Sequence, residues 1–296
     1  MNAAPQTGVI VKGVGGLYYA RGEQGTVSVL RAKGIFRKRH LTPLVGDHIL
    51  FTPGEGEEHG WIEEILPRQN ELIRPPVANI LHLVFVLAPE PEPDFLLLDT
   101  LLVMAHAQGI RPVIVVNKSE LDPTLATRVQ AEYRGAHAPV LAVSAVQEQG
   151  FAALEAVLRE GTCCFAGQSG VGKSTLLNAI TGLSLQTGEI SRRIARGKNT
   201  TRHAELLIRE PYQVLDTAGF SLLSLETPMD PVKLKEFYPE FMPYEAECRF
   251  QPCYHASEPG CAVLAAAQRG EIAAARMERY HLLLERVKES WRNRYD

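Results

Sequence analysis

The chain has 296 residues, with 45% hydrophobic and 22% charged side chains, so it is globular rather than disordered and has room for two or three domains. A net charge of −3 excludes a global attraction to nucleic acid or anionic membrane, and any such contact must come from local basic patches. The longest apolar run, residues 80–88, is strand-sized, and the N-terminus lacks the layout of a signal peptide, so no membrane partner and a cytoplasmic location are expected.

Residues 9–11, 26–30, 45–51, 61–66 and 71–74 are apolar or alternating runs, separated by glycine-rich or polar turns such as 13–16 and 53–60. Five short strands without a helix predict a small Greek-key barrel over 1–73, either an OB-fold or a generic all-β extension. From residue 80 the pattern changes. Strands are predicted over 80–88, 112–117, 140–144, 162–166 and 213–216, and helices over 94–108, 124–134, 150–160 and 173–181. Buried strands alternating with helices predict an α/β domain over 74–224, with a mostly parallel sheet covered on both faces. Residues 225–296 read as helical (232–238, 262–268 and 271–289) around a cysteine-rich insert.

Within the α/β region, Gly167-Gln168-Ser169-Gly170-Val171-Gly172-Lys173-Ser174-Thr175 matches G-x-x-x-x-G-K-[ST], and it follows a predicted strand and opens a predicted helix. The glycines let backbone N–H groups curl inward around phosphate oxygens, and the helix N-terminus adds favourable partial charge. Lys173 is expected to neutralise the β- and γ-phosphates, and Ser174 to ligate Mg²⁺. Asp216 and Gly219 form a D-x-x-G element at the end of another strand, where Asp216 would hold Mg²⁺ through water and Gly219 would face the γ-phosphate. Between them, residues 191–203 carry Arg192, Arg193, Arg196, Lys198 and Arg202 with no acid. Thr200 and Thr201 lie in this run, where a hydroxyl could complete the Mg²⁺ shell.

Asn117-Lys118-Ser119-Glu120 follows the strand over 112–117. A carboxylate two residues after the lysine can accept both guanine N1–H and N2–H₂. Adenine would leave that charge unpaired, so GTP and GDP are the expected ligands. Ser144-Ala145, after the next strand, would offer a backbone N–H to guanine O6. The order is unusual: the guanine-reading tetrapeptide precedes the phosphate loop, as though the chain of a GTPase had been cut and rejoined.

Cys248, Cys253, His255 and Cys261 place three thiols and an imidazole within fourteen residues. Four such ligands suit tetrahedral Zn²⁺ and leave no open coordination position, so one structural zinc is expected. Cys163 and Cys164 sit in an apolar segment and read as small buried hydrophobes.

Taken together, the motif order and the Cys-x4-Cys-x-His-x5-Cys spacing resemble the RsgA (YjeQ/YloQ) family of circularly permuted GTPases. The resemblance covers nearly the whole chain. It implies an N-terminal OB-fold, binding to the small ribosomal subunit and its rRNA, and ribosome-stimulated GTP hydrolysis late in subunit maturation. Three positions depart from the family pattern: Glu120 replaces Asp, Ala218 stands where Pro is common, and Asn199 stands where a His often precedes the paired threonines. Phe220 follows D-x-x-G where a Ras-like enzyme has a water-orienting Gln, which predicts slow intrinsic turnover. Two other readings are a GTP-sensing rRNA checkpoint with negligible catalysis and a nucleotide-consuming enzyme acting on a small metabolite. RNA contacts are expected from Arg31, Lys33, Arg37, Lys38 and Arg39 on the barrel, and from Arg276, Arg279, Arg286, Arg292 and Arg294 on the last helices. A monomer is expected. Because Asp216 and the residues after it run straight into the cysteine module, the GTP and GDP states are expected to differ in the placement of residues beyond Ser224.

Overall fold

The structure, a computed structural model, describes residues 4–56, 58–73, 75–183, 204–216 and 229–294. Thr200, Thr201, Gly219, Phe220 and the basic run over 191–203 lie outside them.

The first five strands are β1 (Gln6–Val14), β2 (Leu17–Gly22), β3 (Val27–Ala32), β4 (His48–Thr52) and β5 (Gly60–Ile65). They close into a barrel in the order 1-2-3-5-4-1, with β3 and β5 parallel and the other pairs antiparallel. A register shift between Ile10 and Lys12 bends β1, and a bend of this kind helps one strand to serve two neighbours. Ile10, Ala20, Leu30, Ile49, Phe51 and Ile62 fill the interior.

The predicted strand count holds here, but its membership differs. β2 was not foreseen, although Gly15 and Gly16, both at positive φ, form the two-residue turn that launches it. The predicted strand over 71–74 is only β6 (Glu71–Leu72), which pairs outside the barrel with β7 (Val77–Ala78). Pro75 and Pro76 supply no N–H to extend that ladder. A helix also appears where none was expected: α1 (Gly34–Lys38) buries Phe36 against the barrel core. Five residues are too short to show a helical period.

The second sheet runs in the order β10-β9-β8-β11-β13-β12. It comprises β8 (His82–Leu87), β9 (Arg111–Val116), β10 (Val140–Ala142), β11 (Thr162–Ala166), β12 (Glu205–Arg209) and β13 (Tyr212–Asp216). All its pairings are parallel except the β12–β13 hairpin. The period of two in β8 sends Leu83, Phe85 and Leu87 to one face, under α2 (Phe95–Ala107) and α3 (Leu125–Glu132). Val84 and Val86 point to the other face, under α4 (Phe151–Glu160) and α5 (Lys173–Thr181). Cys163 and Cys164 are fully buried on opposite faces, and burial pushes the Cys163 thiol up to about 12, so this sulfur is an inert hydrophobe.

From β8 the chain steps outward through β9 to β10, then returns to β11 on the other side of β8. The β8–β11 boundary is therefore the topological switch point, and ligands of open α/β sheets bind at the carboxyl ends of strands there. The barrel joins this sheet by an edge pairing, Lys12 opposite Glu205, with Nζ 3.0 Å from Oε2. The linker is pinned as well. Asn70 exchanges two hydrogen bonds with Ile80, and the Asn79 amide donates to Gly46 O.

The C-terminal module starts with two 3₁₀ turns, Pro231–Phe237 and Pro239–Phe241, and continues through α6 (Ala262–Gln268) and α7 (Ala274–Arg292).

Candidate nucleotide and metal sites

The phosphate motif sits where the switch point places it. β11 ends at Ala166, and the chain turns through Gly167 at φ +131, Gly170 at +88 and Gly172 at +91 before α5 starts at Lys173. Two of these glycines are required by close approach as well as by φ. A Cβ on Gly167 would lie 2.1 Å from Val86 O, and one on Gly172 would lie 2.5 Å from Asn117 Nδ2. The loop therefore lies against the end of β8 on one side and the base motif on the other. Lys173 Nζ donates to the carbonyl oxygens of Gly167 (2.8 Å) and Gln168 (2.7 Å), curling back over the loop. Burial pushes its ammonium down to about 8, a cost that an anion in the loop would relieve. Ser174 is half-buried in the first turn of α5 and Thr175 is exposed, while Val171 is buried.

The tetrapeptide at the end of β9 reaches this loop. Asn117 is 1% exposed. Its Nδ2 donates to Val171 O (2.8 Å), and its Oδ1 accepts from Ala145 N (3.3 Å). One side chain thus joins the phosphate loop, the base tetrapeptide and the Ser144-Ala145 turn. Lys118, at φ +55, donates to Gly170 O (2.9 Å) and Glu90 O (2.7 Å). Ser119 N donates to Val143 O, and buried Ser144 accepts from Gln147 N through Oγ. Glu120 Oε2 is buried and has no hydrogen-bond partner among the described residues. A buried carboxylate oxygen left bare is expensive, so this position calls for an N–H donor from a ligand. The extra methylene of Glu over Asp thus still leaves an acceptor in place. Gln168 spends its side chain differently: it accepts from Asp94 N (2.9 Å) and donates to Glu92 O (3.0 Å). Asp216 ends β13, paired in register with Glu205.

The cysteine cluster is closed. Cys248, Cys253, His255 and Cys261 are all buried, and their ligand atoms lie within 4.8 Å of one another. Cys248 Sγ is 3.7 Å from His255 Nδ1 and 3.9 Å from Cys261 Sγ, and His255 Nδ1 is 3.3 Å from Cys261 Sγ. Tetrahedral zinc, with Zn–S of about 2.3 Å and Zn–N of about 2.0 Å, needs ligand–ligand edges of roughly 3.5–3.8 Å, and the three edges among Cys248, His255 and Cys261 lie close to that range. Glu245 Oε1, 3.1 Å from His255 Nε2, holds that face of the ring and leaves Nδ1 to face the thiols. Leu264 N, in the first turn of α6, donates to Cys261 Sγ.

One group of expected RNA contacts is displaced. Arg276 is 2% exposed and pairs with Asp99 Oδ1 (2.6 Å) and with Glu240 Oε1 (2.6 and 2.9 Å). Burial opposes its charge, but Asp99 and Glu240 outweigh that and raise its pKa above the ordinary guanidinium value. Arg279 pairs with Asp99 Oδ2 (2.6 Å) and with Glu132. Both arginines are thus internal, tying α7 to α2 and α3. The sequence did carry a signal for this: Asp99 is a lone acid in an otherwise apolar helix. Arg31, Arg37, Lys38 and Arg39 on the barrel remain exposed, as do Arg286, Arg292 and Arg294 on α7 and just beyond it. Lys33 is half-buried and paired with Glu63.

Comparison with known proteins shows the family of the chain. The profile of the RsgA GTPase family matches residues 65–226, and that of the RsgA N-terminal domain matches 7–62. The small ribosomal subunit biogenesis GTPase RsgA of Ruminiclostridium cellulolyticum is 44% identical over 96% of this chain and 94% of its own. Its counterpart in Geobacillus thermodenitrificans is 43% identical over 95% and 97%. The crystal structure of YjeQ from Thermotoga maritima superposes with a TM-score of 0.82 at 32% identity, covering 96% of this chain and 99% of that one. That of YloQ, a circularly permuted GTPase, superposes with a TM-score of 0.78 at 34% identity, covering 97% and 96%. The inverted motif order, the fold and the full-length similarity lead to one conclusion: the chain belongs to the RsgA GTPase family.

Proposed function

We propose that this chain is a GTPase of small-ribosomal-subunit biogenesis, which binds the subunit and hydrolyses GTP in a subunit-stimulated, Mg²⁺-dependent reaction late in its maturation. Asn117, Lys118, Ser119 and Glu120, with Ser144 and Ala145, hold the guanine base. Gly167, Gln168, Ser169, Gly170, Val171, Gly172, Lys173 and Thr175 surround the phosphates. Ser174 and Asp216 hold Mg²⁺, and Gly219, Thr200 and Thr201 respond to the γ-phosphate. The observation that carries this reading is Asn117, whose amide joins the three loops and so assembles base and phosphate recognition in one place.

The working units of this reading are a barrel over 1–73, a permuted GTPase over 74–224 and a zinc-stapled helical module over 225–296. The protein acts as a cytoplasmic monomer, and Cys248, Cys253, His255 and Cys261 hold a zinc ion with no catalytic role. The exposed Arg31, Arg37, Lys38 and Arg39 of the barrel, with Arg286, Arg292 and Arg294, supply the rRNA contacts, which salt should weaken. Multiple-turnover phosphate release is the test. The isolated protein should turn over slowly and accelerate strongly with purified small subunits. Equal rates with and without saturating subunits would overturn the reading.

A further inference from the structure

Helix α2 is apolar on every face, a pattern that suits a helix only when it is covered all round. Leu98, Leu101, Leu102 and Ala105 pack into the core beneath the sheet, while Val103 packs with Leu234, Tyr238 and Tyr280 of the C-terminal module. Two sets of polar contacts with different owners hold the N-terminal half of the helix. At the N-terminus, Asp94 caps the helix by accepting from Leu97 N (2.9 Å), and its own N–H donates to Gln168 of the phosphate loop. Gln168 also grips Glu92 O, and Lys118 of the base motif grips Glu90 O, so both nucleotide loops hold the lead-in to α2. Further along the helix, fully buried Asp99 accepts from Arg276, Arg279 and Tyr133. A buried carboxylate shared by two guanidinium groups keeps the C-terminal helix from shifting independently of α2.

We propose that α2 is a lever between the nucleotide pocket and the zinc module, with Gln168 at its N-terminal lead-in and Asp99 in its second turn as the positioning residues. The proposal rests on residues 167–175 binding a nucleotide. It differs from a covalent route through residues 217–228, because the coupling runs through side chains that can be cut singly.

Hydrogen exchange on the full-length protein, with and without GDP, tests it. In the wild type, GDP should slow exchange in both α5 and α7. In Asp94→Ala, which removes the cap that ties the lead-in to α2, α5 should keep its protection at saturating GDP and α7 should lose most of it. Coupling is reciprocal, so Arg279→Ala, with wild-type zinc content and a cooperative melt, should bind GDP three- to tenfold more weakly. An α7 response in Asp94→Ala equal to that of the wild type overturns the lever, as does wild-type GDP affinity in Arg279→Ala. Should Arg279→Ala fail to fold, the Asp94→Ala comparison decides alone. Failure of the wild type to bind GDP would instead defeat the nucleotide reading itself.

Discussion

The phosphate loop and the cysteine cluster are both built to hold a charged ligand, and they use opposite parts of the chain to do it. The loop presents backbone, kept bare by glycines at positive φ, with one half-buried lysine whose charge is weakened by burial. The cluster presents four buried side chains whose second contacts, such as Glu245 on His255, fix their orientation. An open backbone cradle can release its ligand at each turnover, while a closed side-chain cage cannot do so without coming apart. The difference separates a site meant to exchange from one meant to persist.

The largest expected effect breaks the persistent site. Cys253→Ser, or chelation, should remove the proposed structural zinc, whose apparent binding free energy would be of order 10–16 kcal/mol. The module around α6 should lose its cooperative melt, as read by circular dichroism alongside metal analysis. Next comes the buried joint between the two sites. Arg276→Met leaves Glu240 and part of Asp99 without their cation, and should lower unfolding stability by about 3–5 kcal/mol in denaturant titration. On the exchanging side, Lys173→Ala should cost about 10²–10³-fold in single-turnover GTP cleavage, comparable with removing one donor from a charge-stabilising site. Glu120→Gln removes a charged acceptor worth about 1.5–3 kcal/mol, so GTP affinity should fall roughly 10- to 150-fold with zinc content unchanged. A change in zinc content here would show that metal retention, and not only the placement of α7, depends on the base site.

The smallest effect is a pH dependence of nucleotide affinity. Lys173 in the free protein titrates near pH 8, and phosphate favours its charged form and so raises that pKa in the complex. Below pH 8 binding needs no proton. Above it, binding must take one up, and GDP affinity should fall about tenfold per pH unit. Calorimetry across pH 7–10 would check this, and a flat profile would mean that Lys173 does not meet the phosphates.

The two sites also differ in how far they could be read before folding. The cluster stood out because its three cysteines and histidine lie within fourteen residues, and the loop because its glycines and lysine are contiguous. β11, α5 and α6 were placed at their observed bounds for a related reason: each follows or opens a local motif or a clear apolar run. β12 escaped, since its place depends on pairing with β13 and on the contact of Glu205 with Lys12 in the barrel. β2 escaped because its outer positions are only half-buried and lack a clean alternation.

What the sequence determined by itself was therefore local motif and order: which residues carry the guanine, phosphate and metal patterns, and that the base motif precedes the phosphate loop. Only the tertiary structure decided what those residues face. It set Asn117 against Val171, left Glu120 Oε2 bare, and turned Arg276 and Arg279 from expected surface contacts into partners of buried Asp99. The physical reason is burial. A charged side chain looks the same in sequence whether it meets solvent or a carboxylate, and packing of distant segments alone settles which.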